Sequence, residues 1–201
     1  MKKALITLCV LCAATTLTGC GPKVSNIDTK NDEGKAVAGL DYRDFELAAD
    51  TMIQSLITSG ALRKDDNSRY LVATGQIVND TTHRISTDQL MVKVRKALMQ
   101  SGQAAMTAAV SGDGSTDDML YNVRDLKESD VADEFNQDTM PDKGQLLAPE
   151  MSITGKIYQS NVSYDRKITQ EEYYFQLRLT EIASGVVYWE EEKVLGKRVK
   201  D

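Results

Sequence analysis

Between residues 41 and 60 the apolar positions recur every three or four residues, and Phe45, Ala48, Ala49, Met52, Ile53 and Leu56 trace one stripe of an α-helix. Asp41 or Asp44 is placed to cap its start, and Gly60 to end it. Residues 70–78 are rich in β-branched and small apolar side chains and run into Asn79-Asp80-Thr81-Thr82, which predicts a buried strand followed by a loop. Ser86-Thr87-Asp88-Gln89 then has the spacing of a capping box, in which the Ser hydroxyl and the Gln amide each satisfy a free backbone N–H. The helix it opens continues through Leu90, Val94, Ala97 and Leu98 to Gly102. A short strand over residues 103–110 would close a strand, helix, strand unit.

Residues 111–115 predict a turn. Residues 116–137 are acidic with scattered apolar positions, Met119, Leu120, Val123, Leu126, Val131 and Phe135, which suits an exposed and interrupted helix with Ser115 at its N-cap and Pro141 beyond its end. The period then changes from 3.6 to 2. Met151, Ile153, Gly155 and Ile157 alternate with Ser152, Thr154, Lys156 and Tyr158, and Phe175, Leu177 and Leu179 alternate with Tyr174, Gln176, Arg178 and Thr180. Ala183-Ser184-Gly185 turns into a third strand over 187–195, so the chain predicts an antiparallel three-stranded meander at its end. The expected fold class is α/β: a single compact domain over residues 41–201, with helices packed on a mixed β-sheet.

Ahead of residue 41 no such period exists. Lys2 and Lys3 precede an apolar run of about 11 residues, the size of a signal-peptide core and too short to span a bilayer. The run ends in Leu17-Thr18-Gly19-Cys20, which resembles a bacterial lipobox; an ordinary secretory signal with a cysteine at its end is the alternative. The lipobox reading makes residues 1–19 a lipoprotein signal peptide and Cys20 the lipidated first residue of the mature chain. Residues 21–40, polar and small, read as a flexible tether. Gly21, in place of the aspartate that retains lipoproteins in the inner membrane of enteric bacteria, favours the outer membrane, with the domain facing the periplasm.

That processing changes the chemistry available. Cys9 and Cys12 leave with the signal, and acylation consumes the thiol of Cys20, so no intramolecular disulfide, cysteine nucleophile or cysteine metal ligand is expected. Removing Lys2 and Lys3 as well shifts the formal charge from −6 to −8. Such a surface repels nucleic acid, and membrane attachment falls to the lipid.

No catalytic constellation survives inspection. His83 is the only histidine and falls in a predicted loop, and no Gly-x-Ser-x-Gly elbow exists. Residues 113–124 resemble a calcium loop only superficially, because Asp118 stands where glycine is needed and Arg124 where a bidentate Glu is needed. Catalytic residues, metal, cofactor and small-molecule substrate are therefore all expected to be absent. What remains is the polar side of the meander, where Tyr158, Tyr174 and Tyr188 stand among Lys156, Gln176, Arg178, Glu190 and Glu192. Tyr and Arg favour protein interfaces, but tyrosines also suit strands, and a helix could cover this side.

Several blocks together resemble the LpoB family of outer-membrane lipoproteins that activate a penicillin-binding protein. They are the lipobox, Val72-Ala73-Thr74-Gly75-Gln76-Ile77-Val78-Asn79-Asp80-Thr81, Ile85-Ser86-Thr87-Asp88-Gln89-Leu90, Val94-Arg95-Lys96-Ala97-Leu98, Met151-Ser152-Ile153-Thr154-Gly155-Lys156-Ile157, Gln176-Leu177-Arg178-Leu179 and Ser184-Gly185-Val186-Val187-Tyr188-Trp189. The resemblance implies a domain similar to the amino-terminal domain of TolB, acting as a single copy without enzymatic activity. It would dock on a class A penicillin-binding protein and stimulate glycan polymerisation and peptide cross-linking. Thr154, Lys156, Tyr174, Arg178 and Tyr188 are the candidate contacts, with Asn79 and His83 in a second patch. Well-studied relatives carry a long Pro- and Gln-rich linker, whereas this tether of about 20 residues reaches roughly 65 Å fully extended. A structural or secretion-channel lipoprotein similar to CsgG is the alternative, although two amphipathic insertions able to form membrane hairpins are not evident.

Overall fold

Helix α1, Tyr42–Ser59, begins where the chain can satisfy its first free N–H groups. The Asp41 carboxylate accepts from the amides of Arg43 and Asp44, the Asp44 carboxylate accepts from the Asp41 amide, and Gly60 ends the helix in the left-handed conformation. All six residues of the apolar stripe are buried. The structure is a computed structural model that describes Gly34 and residues 37–200. The lipobox, Cys20 and most of the tether lie outside the described residues, and those from 37 onward belong to one unit, Ala36–Asp201.

Strand β1 spans Tyr70–Asp80, two residues beyond the expected strand and into the expected loop. Helix α2, Thr87–Ser101, starts after Ser86 and ends at Gly102. Ser86 occupies the N-cap, but its side chain makes no capping hydrogen bond, so the capping box expected there is not formed. Strand β2 is only Ala104–Met106, shorter than the expected 103–110, and pairs parallel with β1. Past Met106 the chain still runs beside β1, with the Thr107 amide donating to the Val72 carbonyl and the Gly112 amide to that of Thr74 at 2.7 Å. Gly112 makes this approach possible, since a Cβ there would sit 3.1 Å from the Gly75 Cα.

The excursion from β2 to the meander is mostly exposed. Helix α3 covers Met119–Lys127 alone, with no buried residue, and two 3₁₀ turns, Ala132–Glu134 and Gln137–Thr139, replace the rest of the expected helix. Its N-cap is Asp118 and not Ser115, whose hydroxyl instead donates to the Asp113 carboxylate at 2.6 Å. Asp113 also lies 3.3 Å from the Arg95 guanidinium, and the Ser115 and Thr74 hydroxyls are 3.2 Å apart. Burial, the largest influence, pushes the Asp113 carboxyl up, but the Ser115 bonds, Thr74 and Arg95 together outweigh it and hold the group below the ordinary aspartate range.

Strands β3, Met151–Asp165, β4, Ile168–Glu181, and β5, Val187–Lys200, form the expected meander, each strand longer than its pattern alone suggested. The sheet order is β2-β1-β3-β4-β5, with β1 parallel to β2 and β3, and β3, β4 and β5 antiparallel. The core lies on one face of this mixed sheet, where α1 and α2 cover Val72, Ile77, Met151, Ile153, Ile157, Phe175, Leu177 and Leu179. Phe45 of α1 meets Phe175 edge-on with ring centroids 5.9 Å apart. Polar contacts bind α1 to the outer strand: Ser55 donates to Glu191 at 2.6 Å and Lys197 pairs with Asp44 at 2.6 Å. The fold is α/β, as the periodicity implied.

Candidate functional site

Because β3, β4 and β5 alternate, burying Ile153, Ile157, Phe175, Leu177, Leu179 and Trp189 turns the intervening side chains to the opposite, open face. Register then makes neighbours of them. Thr154 pairs with Arg178, Lys156 with Gln176 and Tyr158 with Tyr174 across β3 and β4; Arg178 pairs with Glu190 and Gln176 with Glu192 across β4 and β5. The Lys156 and Arg178 side chains stay about half exposed, so no helix covers this face at these residues.

The charges in this row are paired. Lys156 Nζ lies 2.6 Å from the Asp80 carboxylate, and Arg178 Nη2 lies 2.8 Å from that of Glu190. Glu192 accepts from the Tyr158 hydroxyl at 3.0 Å and the Gln176 amide at 2.7 Å. The Tyr158 and Tyr174 rings stack with centroids 4.6 Å apart and planes 5° from parallel. Between these groups is a shallow depression of about 220 Å³, walled by Thr154, Lys156, Gln176, Arg178 and Glu190 and floored by Gly155 and Leu177.

The phenols are poised as donors. Burial first and the Glu192 carboxylate second push the Tyr158 hydroxyl above the ordinary tyrosine range. The hydrogen bond to Glu172, at 2.7 Å, does the same for Tyr174. Protonated tyrosines and mutually neutralised ion pairs suit recognition, not proton transfer. Exposed pairs of this kind contribute about 0–1 kcal/mol each and can exchange their partners at small cost.

Not every candidate joins this row. Tyr188 falls at a bulge, where β4–β5 pairing slips between Leu179↔Trp189 and Thr180↔Val187, and so has no partner in the ladder. Its hydroxyl is pushed up chiefly by the Glu181 charge, then by burial and Tyr70, which places it near the start of β5, away from Tyr158 and Tyr174. Asn79 and His83 turn toward the helix side of the sheet. The Asn79 amide donates to the His83 carbonyl at 2.9 Å, and the exposed His83 ring lies against Gly39 and 6.1 Å from the buried Tyr173 ring. Asp80, the partner of Lys156, stands on the open face at the end of β1, whereas the sequence places it in the loop after Val78, the last apolar residue of the strand. Extending the period-two pattern past Val78 places Asp80 on that face.

The sequence profile of the family described as "Peptidoglycan-synthase activator LpoB" matches residues 44–195. The chain belongs to the LpoB family. This family is one of peptidoglycan-synthase activators, regulators and not enzymes, as the resemblance in the sequence implied. Comparison with curated proteins returns no match. Among solved structures, the LpoB C-terminal domain from Escherichia coli is 11% identical with a TM-score of 0.44, over 77% of this chain and 99% of that one. The solution structure of E. coli LpoB is 13% identical with a TM-score of 0.42, over 92% of this chain and 87% of that one. Lipoprotein GNA1162 from Neisseria meningitidis is 8% identical with a TM-score of 0.38, over 64% of this chain and 83% of that one.

Proposed function

We propose that this LpoB-family chain is a lipid-anchored outer-membrane lipoprotein, facing the periplasm, that binds a bifunctional class A penicillin-binding protein and stimulates peptidoglycan synthesis. The profile match over residues 44–195 carries this reading, since it runs from α1 into β5 and includes every strand of the open face. Cleavage before Cys20 and acylation of that residue supply the anchor, and residues 21–40 supply the reach. Docking uses Thr154, Lys156, Tyr174 and Arg178 on the open face, with Tyr188 at the bulge and the Asn79–His83 turn as flanking contacts. An activator of this kind works by binding the active state of the synthase more tightly than its resting state, which shifts the population.

The test is capture of a class A penicillin-binding protein by the lipoprotein, together with glycan polymerisation measured with and without it. Stimulation is expected for the wild type. Arg178→Glu, which puts a carboxylate beside Glu190, is expected to weaken binding about tenfold and leave the thermal melt nearly unchanged. Failure of the wild type to bind or stimulate any such synthase refutes the function; an unchanged dissociation constant for Arg178→Glu refutes the docking face alone.

A further inference from the structure

The open face holds a hollow that its own side chains leave unfilled. In one row Tyr158 and Tyr174 close the space between β3 and β4 by stacking on each other. Next to them, over the Gly155↔Leu177 pair, the side chains lean apart. Lys156 reaches toward β1, with Nζ 2.6 Å from Asp80, whereas Gln176 and Arg178 reach toward β5, to Glu192 and Glu190. Like charge also keeps Lys156 and Arg178 from closing on each other, so the space of about 220 Å³ between them stays open.

Size and lining say what such a hollow takes. At about 220 Å³ it is smaller than a small-molecule site, which needs about 300–1,000 Å³, and it suits a single side chain. Both cationic head groups are drawn off toward carboxylates, so the lining is mostly carbon with charge at its rim, the pattern of an interface anchor pocket. Lys156 and Arg178 are diagonal neighbours across β3 and β4, a relation that separates strand residues by about 7–8 Å. A flat ring in van der Waals contact at about 3.5–4.0 Å on each face fills that same span. A cation on either side then favours an aromatic ring over an aliphatic group. An acidic group fits less well, since Glu190 stands in the wall and each cation already has its carboxylate. The open face makes one contact of the favoured kind within the chain, where the Arg198 guanidinium lies 4.2 Å from the Tyr164 ring centroid.

We propose that this hollow is the anchor pocket of the docking face and takes one aromatic side chain of the synthase, its ring lodged between Lys156 and Arg178 over the Gly155↔Leu177 pair. The inference rests on the activator reading above and adds the chemistry of the contact. The pairs with Asp80 and Glu190 keep the slot open before a partner arrives, so little side-chain ordering remains to be done on binding. Burial of the ring supplies affinity, and the surrounding charged rim excludes water from it.

The test measures the dissociation constant of the full-length lipoprotein, in detergent, for the class A penicillin-binding protein of the same cell. Thr154→Trp fills the hollow from its wall and should weaken binding by about 30-fold, the loss of one anchor. Val162→Trp, on the same face but exposed at the hairpin end of β3, is the control and should stay within about twofold. Alanine is then placed at each exposed Phe, Tyr and Trp of the synthase, and at neighbouring acidic and aliphatic residues. One aromatic substitution should cost the wild type about 30-fold yet cost Thr154→Trp less than about threefold, because the ring is already displaced. If Thr154→Trp fails to fold, Gln176→Trp, which closes the slot from β4, replaces it in the same cycle. Parent-like binding by the filled variant with unchanged circular dichroism, or coupling only to an acidic or aliphatic residue, overturns the proposal while leaving the activator reading intact. A wild type that binds no such synthase overturns both.

Discussion

Gly155 and Gly196 both lie within strands at ordinary, negative-φ backbone, yet alanine should act on them in opposite directions. Replacing glycine by alanine where the backbone is compatible stabilises a protein by about 0.4–1 kcal/mol, through the lost entropy of the unfolded chain. At Gly196 nothing lies within 4 Å of the new methyl group, so only that entropy term acts and Gly196→Ala should stabilise. At Gly155 the methyl group would sit 2.5 Å from the Gln176 carbonyl oxygen and 2.8 Å from Leu177 Cδ2, with Ile77 Cγ1 at 3.4 Å. The oxygen belongs to the backbone of the adjacent strand and cannot rotate away, and Leu177 is fully buried. Relief requires β3 and β4 to separate by several tenths of an ångström at the Gly155↔Leu177 pair, an overpacking cost of about 1–3 kcal/mol, above the entropy gain. Gly155→Ala should therefore destabilise by roughly 0.5–2 kcal/mol net, or about 2–6 °C for a chain of this size. Thermal and urea unfolding of both variants by circular dichroism measures this. Equal effects at the two glycines, or a Gly155→Ala protein as stable as its parent, would show that the sheet yields more easily than its register implies.

The two N-caps separate in the same assay. Asp41→Ala, which removes two amide hydrogen bonds and the Arg43 pair, should cost about 1–2 kcal/mol, whereas Ser86→Ala, which removes no capping bond, should cost less than about 0.5 kcal/mol. Asp113 gives a pH signature. Its folded-state pKa lies below the ordinary aspartate value, so its stabilising contribution is complete above about pH 5 and is lost as pH falls through the lowered pKa. Asp113→Asn should accordingly cost about 1–2 kcal/mol at pH 7, and the gap should shrink steadily as pH falls below the ordinary aspartate range; a gap that does not change between pH 7 and the acid end of the folded range in urea melts would refute the assignment.

Much of the architecture was legible because it is written in near neighbours. The stripe from Phe45 to Leu56, Gly60 and Gly102 as terminators, and the alternation in β3 and β4 each depend on a few adjacent residues. The expected helix over 116–137 broke down for the complementary reason. Its apolar residues are too scattered to bury one face, and the structure keeps helix only over Met119–Lys127. Ser86 had the right spacing and the right position, but its hydroxyl does not bond the helix start.

The candidate site was legible by face and not by contact. Alternation alone assigned Thr154, Lys156, Tyr174 and Arg178 to one side of the meander, because period two is a property of the strand itself. That Lys156 meets Asp80, that a bulge removes Tyr188 from the row and that His83 turns to the helix face were decided by tertiary structure. Sheet order sets β1 beside β3, and the slip between Leu179 and Thr180 sets where Tyr188 stands. Period, caps and charge are local quantities that a sequence carries outright. Strand order and register are settled by which distant segments bury the most apolar surface together while keeping their backbone groups paired, and only the folded chain makes that choice.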